Sequence, residues 1–225
     1  MSIKEKLPEY LEKNKERFDD VVDKINHSRY GIFFTEGFLL CSVFDLLGVD
    51  LILESGTALG QSTEILGNYF SKTPVVSVDD NWYGVHEKTK ERLKYLENVS
   101  LMVGDSKVIL PDVVKNGVEY NRIGIFIDGP KGEGALNLAK NLYTKYSNIV
   151  CVGYHDMTLW NFNRLGFQQV GEFIEAKDTT TTNEKYSYLN KKILEIDEDA
   201  RGWLPNGPGL MVQILENGED KWWEK

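Results

Sequence analysis

The sequence predicts a doubly wound, mostly parallel α/β sheet, with helices ahead of it and a cap after it that ends in a strand. Three observations carry that prediction. Between residues 49 and 156 a short apolar run alternates five times with an amphipathic segment, the order that builds a parallel sheet with right-handed crossovers. The run Ile123, Ile125, Phe126 and Ile127 is apolar almost without alternation, as a strand covered on both faces requires. Each run ends on a polar residue: Glu54, Asp79, Asp105, Asp128 and the pair His155-Asp156. In sheets of this class ligands bind at the carboxyl ends of the strands, beside the switch in strand order.

Composition sets the outer bounds. A chain of 225 residues suffices for one α/β domain and is short for two, so a single domain over 1–225 is expected: N-terminal helices at 1–48, a core at 49–156 and a variable part at 157–225. The 41% hydrophobic content fits an ordered globular protein. A net charge of -9 argues against a nucleic acid or an anionic membrane as partner, because both need a broad basic face. Cys41 and Cys151 both lie in apolar runs and read as buried free thiols. No apolar run approaches the roughly 20 residues of a membrane span, and the N-terminus is charged. The expected location is the cytoplasm, where the sequons at Asn26 and Asn98 are chance matches.

Taken in order, residues 8 to 25 show a thin apolar stripe of Tyr10, Leu11, Phe18, Val21, Val22 and Ile25, which predicts a polar packing or lid helix. A far more apolar helix follows over 35–47, with Thr35 as its cap and Glu36 in its first turn, buried against the sheet. The stretch from Val49 to Asp79 reads as strand, tight turn, helix, strand. EKTKERLKYL is a charged helix, NVSLMV a short strand, and SKVILPDVVKNG a helix broken or kinked at Pro111. GEGALNLAKNLYTKY and NIVCVGYHD complete the alternation. Beyond it, NFNRLGFQQVGEFIEA reads as a helix or helix-loop, residues 178–183 as a polar threonine loop, EKYSYLNKKILEI as a helix and GPGLMVQILE as a final strand. Trp222 and Trp223 in the tail are placed on the chain's own surface.

The turn after the first strand is the informative one. Glycine permits conformations and close approaches that a Cβ forbids, and the helix that starts near Gly60 presents free N–H groups. A dinucleotide fingerprint needs glycine at the first, third and sixth positions, where this chain has Gly56, Ala58 and Gln61, so a nicotinamide oxidoreductase is disfavoured. A phosphate-binding P-loop is excluded too, since no Lys-Ser or Lys-Thr follows Gly60. What remains is an acid with glycines two and six positions on. Glu54, Gly56 and Gly60 resemble motif I of the class I methyltransferases, which use S-adenosylmethionine (SAM), with Ala58 where that family usually has a middle glycine.

That resemblance implies a Rossmann-like fold, SAM as cofactor and a division of labour among the strand ends. Gly56 and Gly60 would pass the methionine end of the cofactor, with Glu54 near its ammonium and Gln61 and Ser62 opening the adjoining helix. Asp79 matches the acid that accepts both ribose hydroxyls, Asp80 being the alternative if the strand ends one residue later. Asp105 matches the residue that takes the adenine amino group, helped by Ser106. The competing reading of Asp105 is a plain helix cap, and Trp82 and Tyr83 either stack on adenine or cover the core.

The later strands hold the candidate catalytic residues His155, Asp128 and Asp156. Methyl transfer is an in-line displacement helped chiefly by positioning, and a hydroxyl acceptor gains from a base, for which His155 is the titratable candidate. Asp128 and Asp156 also offer two hard oxygen ligands for Mg2+. The IDGPKG and HD motifs are similar to those of catechol-type and cephalosporin-hydroxylase-like branches, which place acids there for that purpose, although no third ligand is evident. Lys131 reads as a contact to an anionic substrate or as a solvated helix start. The expectation is a methyltransferase acting on a small-molecule acceptor, at oxygen, with a homo-oligomer left open. The alternative is a non-catalytic SAM-binding or interaction module of the same fold.

Overall fold

A computed structural model describes residues 2–25, 27, 31–81, 84–167, 170–181, 183–191, 193 and 209–215. The first helix, α1, spans Ile3–Val22. It begins five residues before the expected Pro8 because Ser2 and Glu5 form a capping box: Ser2 Oγ accepts the Glu5 N–H at 3.3 Å, and Glu5 Oε2 accepts the Ser2 N–H at 2.7 Å. The second helix, α2, spans Phe34–Leu46. Thr35 is not its cap. Thr35 is fully buried inside the helix, and the reciprocal contact at the start comes from the Glu36 carboxylate, which accepts the Phe33 N–H at 2.9 Å.

The alternating core follows as expected: β1 Leu51–Ser55, α3 Gln61–Tyr69, β2 Val75–Asp79, α4 His86–Leu93, β3 Val99–Val103, α5 Ser106–Asn116, β4 Ile123–Ile127, α6 Glu133–Tyr143 and β5 Ile149–Tyr154. α5 runs unbroken through Pro111, whose carbonyl accepts the Tyr146 hydroxyl at 3.2 Å. The Asn98 amide ahead of β3 donates to the carbonyls of Gly67, Phe70 and Thr73 and so ties the α3–β2 connection to β3.

The cap departs most from expectation. The stretch read as helix or helix-loop holds a short helix, α7 Leu159–Arg164, followed by a strand, β6 Glu172–Glu175. Four residues are too few to show alternation, and β6 exists because it pairs antiparallel with the last strand, β7 Met211–Ile214. The threonine stretch is a π-helical turn over Lys177–Thr181, with Thr180 fully buried. Where a helix is expected after it, a 3-10 turn over Ser187–Asn190 leads into α-helical residues at Lys191 and Ile193. Trp222 and Trp223 lie outside the described residues, as does Asn26.

The strand order is β3-β2-β1-β4-β5-β7-β6, with β1 to β5 mutually parallel and β7 antiparallel to both neighbours. From β1 the chain winds outward through β2 and β3, then returns to β4 on the other side, so the topological switch lies between β1 and β4. One face carries Ile52, Phe126 and Cys151 against α1, α2 and α3; the other carries Leu51, Leu53, Ile125 and Val152 against α5 and α6. α2 is buried from Phe34 to Phe44, and each fully buried Phe on it (34, 38 and 44) contributes about 1.5–3 kcal/mol of transfer free energy. Cys41 and Cys151 are both buried, and no disulfide joins them.

Contact between α2 and β5 is close enough to demand glycine. A Cβ on Gly153 would stand 2.7 Å from Leu40 Cδ1 and 3.3 Å from Phe126 Cδ2. Gly153→Val is expected to cost roughly 1–3 kcal/mol through overpacking, read as a lower urea midpoint at unchanged slope. An unchanged midpoint would show that α2 does not pack this tightly on β5.

Candidate active site

Parallel register brings the strand ends together. Ser55 lies beside Val78 and Ile127, Ile127 beside Tyr154, and Asp79 beside Val103. Glu54, Asp79, Asp105, Asp128 and His155-Asp156 therefore share one edge of the sheet, at the switch between β1 and β4.

On the β1 side, Glu54 is fully buried. Its Oε2 accepts the hydroxyls of Thr63 and Ser77, while Oε1 makes no hydrogen bond of normal geometry among the described residues. Burial pushes its carboxyl up to about 7, and hydrogen bonds involving Ser62, Ser77 and Thr63 oppose that rise. The two glycines of the turn serve the chain's own packing. Gly56, at φ 94°, would put a Cβ 2.6 Å from the Gly129 nitrogen, and Gly60, at φ 79°, would put one 2.9 Å from Thr89 Cγ2. Between them Ala58 takes φ 44°, held on both sides: Asp79 Oδ2 accepts its N–H at 2.9 Å, and its carbonyl accepts the Thr89 hydroxyl at 2.5 Å.

Asp79 is half-buried, and its Oδ1 accepts the Asn81 N–H at 2.7 Å. Each of its oxygens keeps a further lone pair. Asp80 is exposed beside it. Asp105 is the N-cap of α5, accepting the Lys107 N–H at 2.9 Å, which is the plain structural reading of that residue. The Ser55 and Ser106 hydroxyl oxygens lie 2.7 Å apart, joining the start of α5 to the end of β1. Ser62 is buried beside Glu54, whereas the Gln61 side chain turns away and donates to the Ile32 carbonyl at 2.8 Å. Trp82 and Tyr83 lie outside the described residues.

The β4 and β5 ends form one charged cluster. Asp128 Oδ1 lies 2.6 Å from His155 Nδ1 and is also bonded by the Lys131 ammonium. Lys131 Nζ reaches Asp156 Oδ2 at 2.5 Å, and His155 Nε2 faces Glu36 Oε2 at 3.5 Å. Burial favours the neutral imidazole, but the charge and hydrogen bond of Asp128, with Glu36 behind them, outweigh it and raise His155 to about 10. Burial also pushes Asp128 up, yet His155 and Lys131 bring it below the usual carboxylate range. These contacts favour the protonated imidazole at neutral pH.

Two partners in this cluster escaped sequence reasoning. Glu36 lies on α2, far away in the chain, and nothing in its surroundings signals that it faces His155. Lys131 stands three residues after Asp128, a spacing that does bring side chains together across a turn, so the ion pair was legible in IDGPKG. The donor set Asp128, His155 and Asp156 has its ligand atoms within 4.8 Å of one another. A Mg2+ ion there would have two carboxylates, would lack a third oxygen ligand and would have to displace the Lys131 ammonium. The set does not fit Mg2+.

No protein-family model and no curated protein matches the chain. Solved structures do. Similar to it are the O-methyltransferase TomG of Streptomyces achromogenes, involved in tomaymycin synthesis and solved with SAM (TM-score 0.51, 15% identity, covering 93% of this chain and 90% of that one), and an O-methyltransferase of Bacillus cereus solved with SAH (TM-score 0.50, 16% identity, 92% and 91%). The fold is that of the class I methyltransferases. Within that fold, Glu54 and Asp128 flank the β1–β4 switch, Asp79 and Asp105 follow the strands on one side of it, and Asp156 follows β5 on the other.

The raised His155 has a thermodynamic consequence. Its ordinary value is 6.5 and its folded value about 10, so its stabilisation is complete below about pH 6.5 and is lost as pH rises through 10. The unfolding free energy is expected to fall between pH 7 and 9.5 more steeply in the native protein than in His155→Gln. Parallel stability curves for the two proteins over that range would contradict the charged-imidazole assignment.

Proposed function

We propose that this chain is a SAM-dependent methyltransferase that methylates an oxygen of a small-molecule acceptor. The observation that carries this reading is the single edge on which Glu54, Asp79, Asp105, Asp128 and Asp156 emerge. Its donors and acceptors suit an adenosyl sulfonium. The unpartnered Oε1 of buried Glu54 suits an ammonium group, and the spare lone pairs of Asp79 suit a pair of ribose hydroxyls. The second carboxylate oxygen of Asp105 and the Ser106 hydroxyl suit an adenine edge. The fold shared with the SAM-bound and SAH-bound O-methyltransferases supports the same reading.

SAM supplies an electrophilic methyl group: the carbon–sulfur bond breaks with its electron pair going to sulfur, while a bond from the acceptor oxygen to carbon forms. The protein's part is to hold the acceptor in line and to receive its proton. Asp156, with 38% of its side chain exposed, is the carboxylate of the cluster most open to an incoming hydroxyl. His155 acts as a positioning residue that fixes Asp128. The charge of -9 favours a small acceptor over an anionic polymer, and two buried cysteines with no disulfide between them suit a reducing, cytoplasmic setting. One core cluster joins α1 and α2 to Ile174 of β6 and Val212 of β7, which supports treating 1–225 as one domain.

Calorimetry with SAM, followed by a transfer assay over a panel of hydroxyl acceptors, tests the proposal. One site per chain and a methylated product are expected. In Asp79→Asn, loss of a charged acceptor worth about 1.5–3 kcal/mol should weaken SAM binding roughly 10- to 100-fold. SAM binding without transfer to any acceptor would instead indicate a non-catalytic binding module. Tight binding of NADH and none of SAM would overturn the assignment.

A further inference from the structure

The cluster at the ends of β4 and β5 has the layout of a three-ligand metal site with a side chain in the middle of it. Oxygens of Asp128 and Asp156 and a ring nitrogen of His155 lie within 4.8 Å of one another. Lys131 Nζ sits among them: it bonds Asp128 Oδ1, reaches Asp156 Oδ2 at 2.5 Å and lies 3.3 Å from His155 Nδ1. We infer that the Lys131 ammonium takes the place of a divalent cation between Asp128 and Asp156, so that this centre holds a fixed organic cation and excludes a metal ion.

Geometry supports this at each member of the triad. An ionised carboxylate only accepts hydrogen bonds, so the 2.6 Å contact to Asp128 makes His155 Nδ1 a donor, without the lone pair that a metal would need. The other ring nitrogen points away, toward Glu36 on α2. Asp128 Oδ1 is therefore shared between the ammonium and the imidazole N–H. Mg2+ requires a near-octahedral shell rich in oxygen at about 2.0–2.1 Å, and two carboxylates already neutralised by a lysine do not supply it. Lys131 is brought to this place by the loop that follows β4, three residues after Asp128. Asp156 is turned to meet it by a left-handed backbone, φ 59°. The positive charge that would face an acceptor oxygen is then the side chain's own.

This inference rests on the centre where the proposed methyl transfer takes place, but its test needs no methyl donor. Mn2+ serves as the probe, since it accepts the same oxygen and imidazole ligands and its free form is read directly by electron paramagnetic resonance. The full chain is expected to bind no stoichiometric Mn2+ at pH 7.5. Lys131→Ala and the better-filled Lys131→Met, both checked for cooperative unfolding, are expected to bind one Mn2+ per chain. Their affinity should rise by at least about tenfold, equivalent to 1.4 kcal/mol, and the binding should vanish when Asp128→Asn is added. One Mn2+ bound by the native chain and lost in Asp128→Asn would overturn the inference. So would absence of binding in the native chain and in both folded Lys131 variants, because the carboxylates would then form no cation site for the lysine to fill. Loss of methyl transfer with this Mn2+ pattern intact would count against the enzymatic reading alone.

Discussion

The molecule depends on how closely the chain after β1 approaches the chain after β4. The Ser55 carbonyl accepts two N–H groups from the other loop, Asp128 at 2.8 Å and Gly129 at 2.9 Å, and the Ser55 hydroxyl reaches back to the Gly129 carbonyl. Gly56 lies so near Gly129 that any side chain there would strike backbone, and its own N–H is tied to Val78 of β2 at 2.8 Å. One residue pair thus fixes three strand ends relative to one another. A buried serine and a positive-φ glycine are the side chains that permit it.

From this knot the rest of the edge is positioned by short, directional contacts. Ser106 is drawn to Ser55, which sets the start of α5, and Asp79 reaches over the turn to hold Ala58. On the other flank, α2 carries Glu36 to His155. Its neighbour Thr35 is held by the cap: the Asn190 side-chain oxygen accepts the Thr35 N–H at 3.2 Å, and the Thr180 hydroxyl donates to the Thr35 carbonyl at 2.8 Å. The segments outside the alternating core are therefore wired to the charged cluster through α2.

Much of this was legible in the sequence, for identifiable reasons. β4 declares itself because a strand covered on both faces must be apolar throughout, and the acids at the strand ends recur because each strand stops where water or ligand begins. The edge they form follows from parallel topology, which leaves strand ends in register. β6 left no local trace, since a four-residue strand is made by its partner β7 and not by its own alternation. Thr35 read as a helix cap because its burial depends on Asn190 and Thr180, contacts that no window of sequence contains. The charge state of His155 lies beyond any window of sequence for a related reason: it is set by Asp128 and Glu36, each from a different element.

On the function proposed above, an adenosyl ligand would lie at the β1–β4 switch, where Ser55 and Gly56 lock against Gly129. Amide NMR of the labelled chain during titration with SAH locates a ligand residue by residue. Shifts are expected to concentrate at Gly56, Gly60, Asp79, Ser106 and Asp128, with β6 and α6 unaffected. Saturable shifts clustered anywhere else, or none at millimolar SAH, would contradict it.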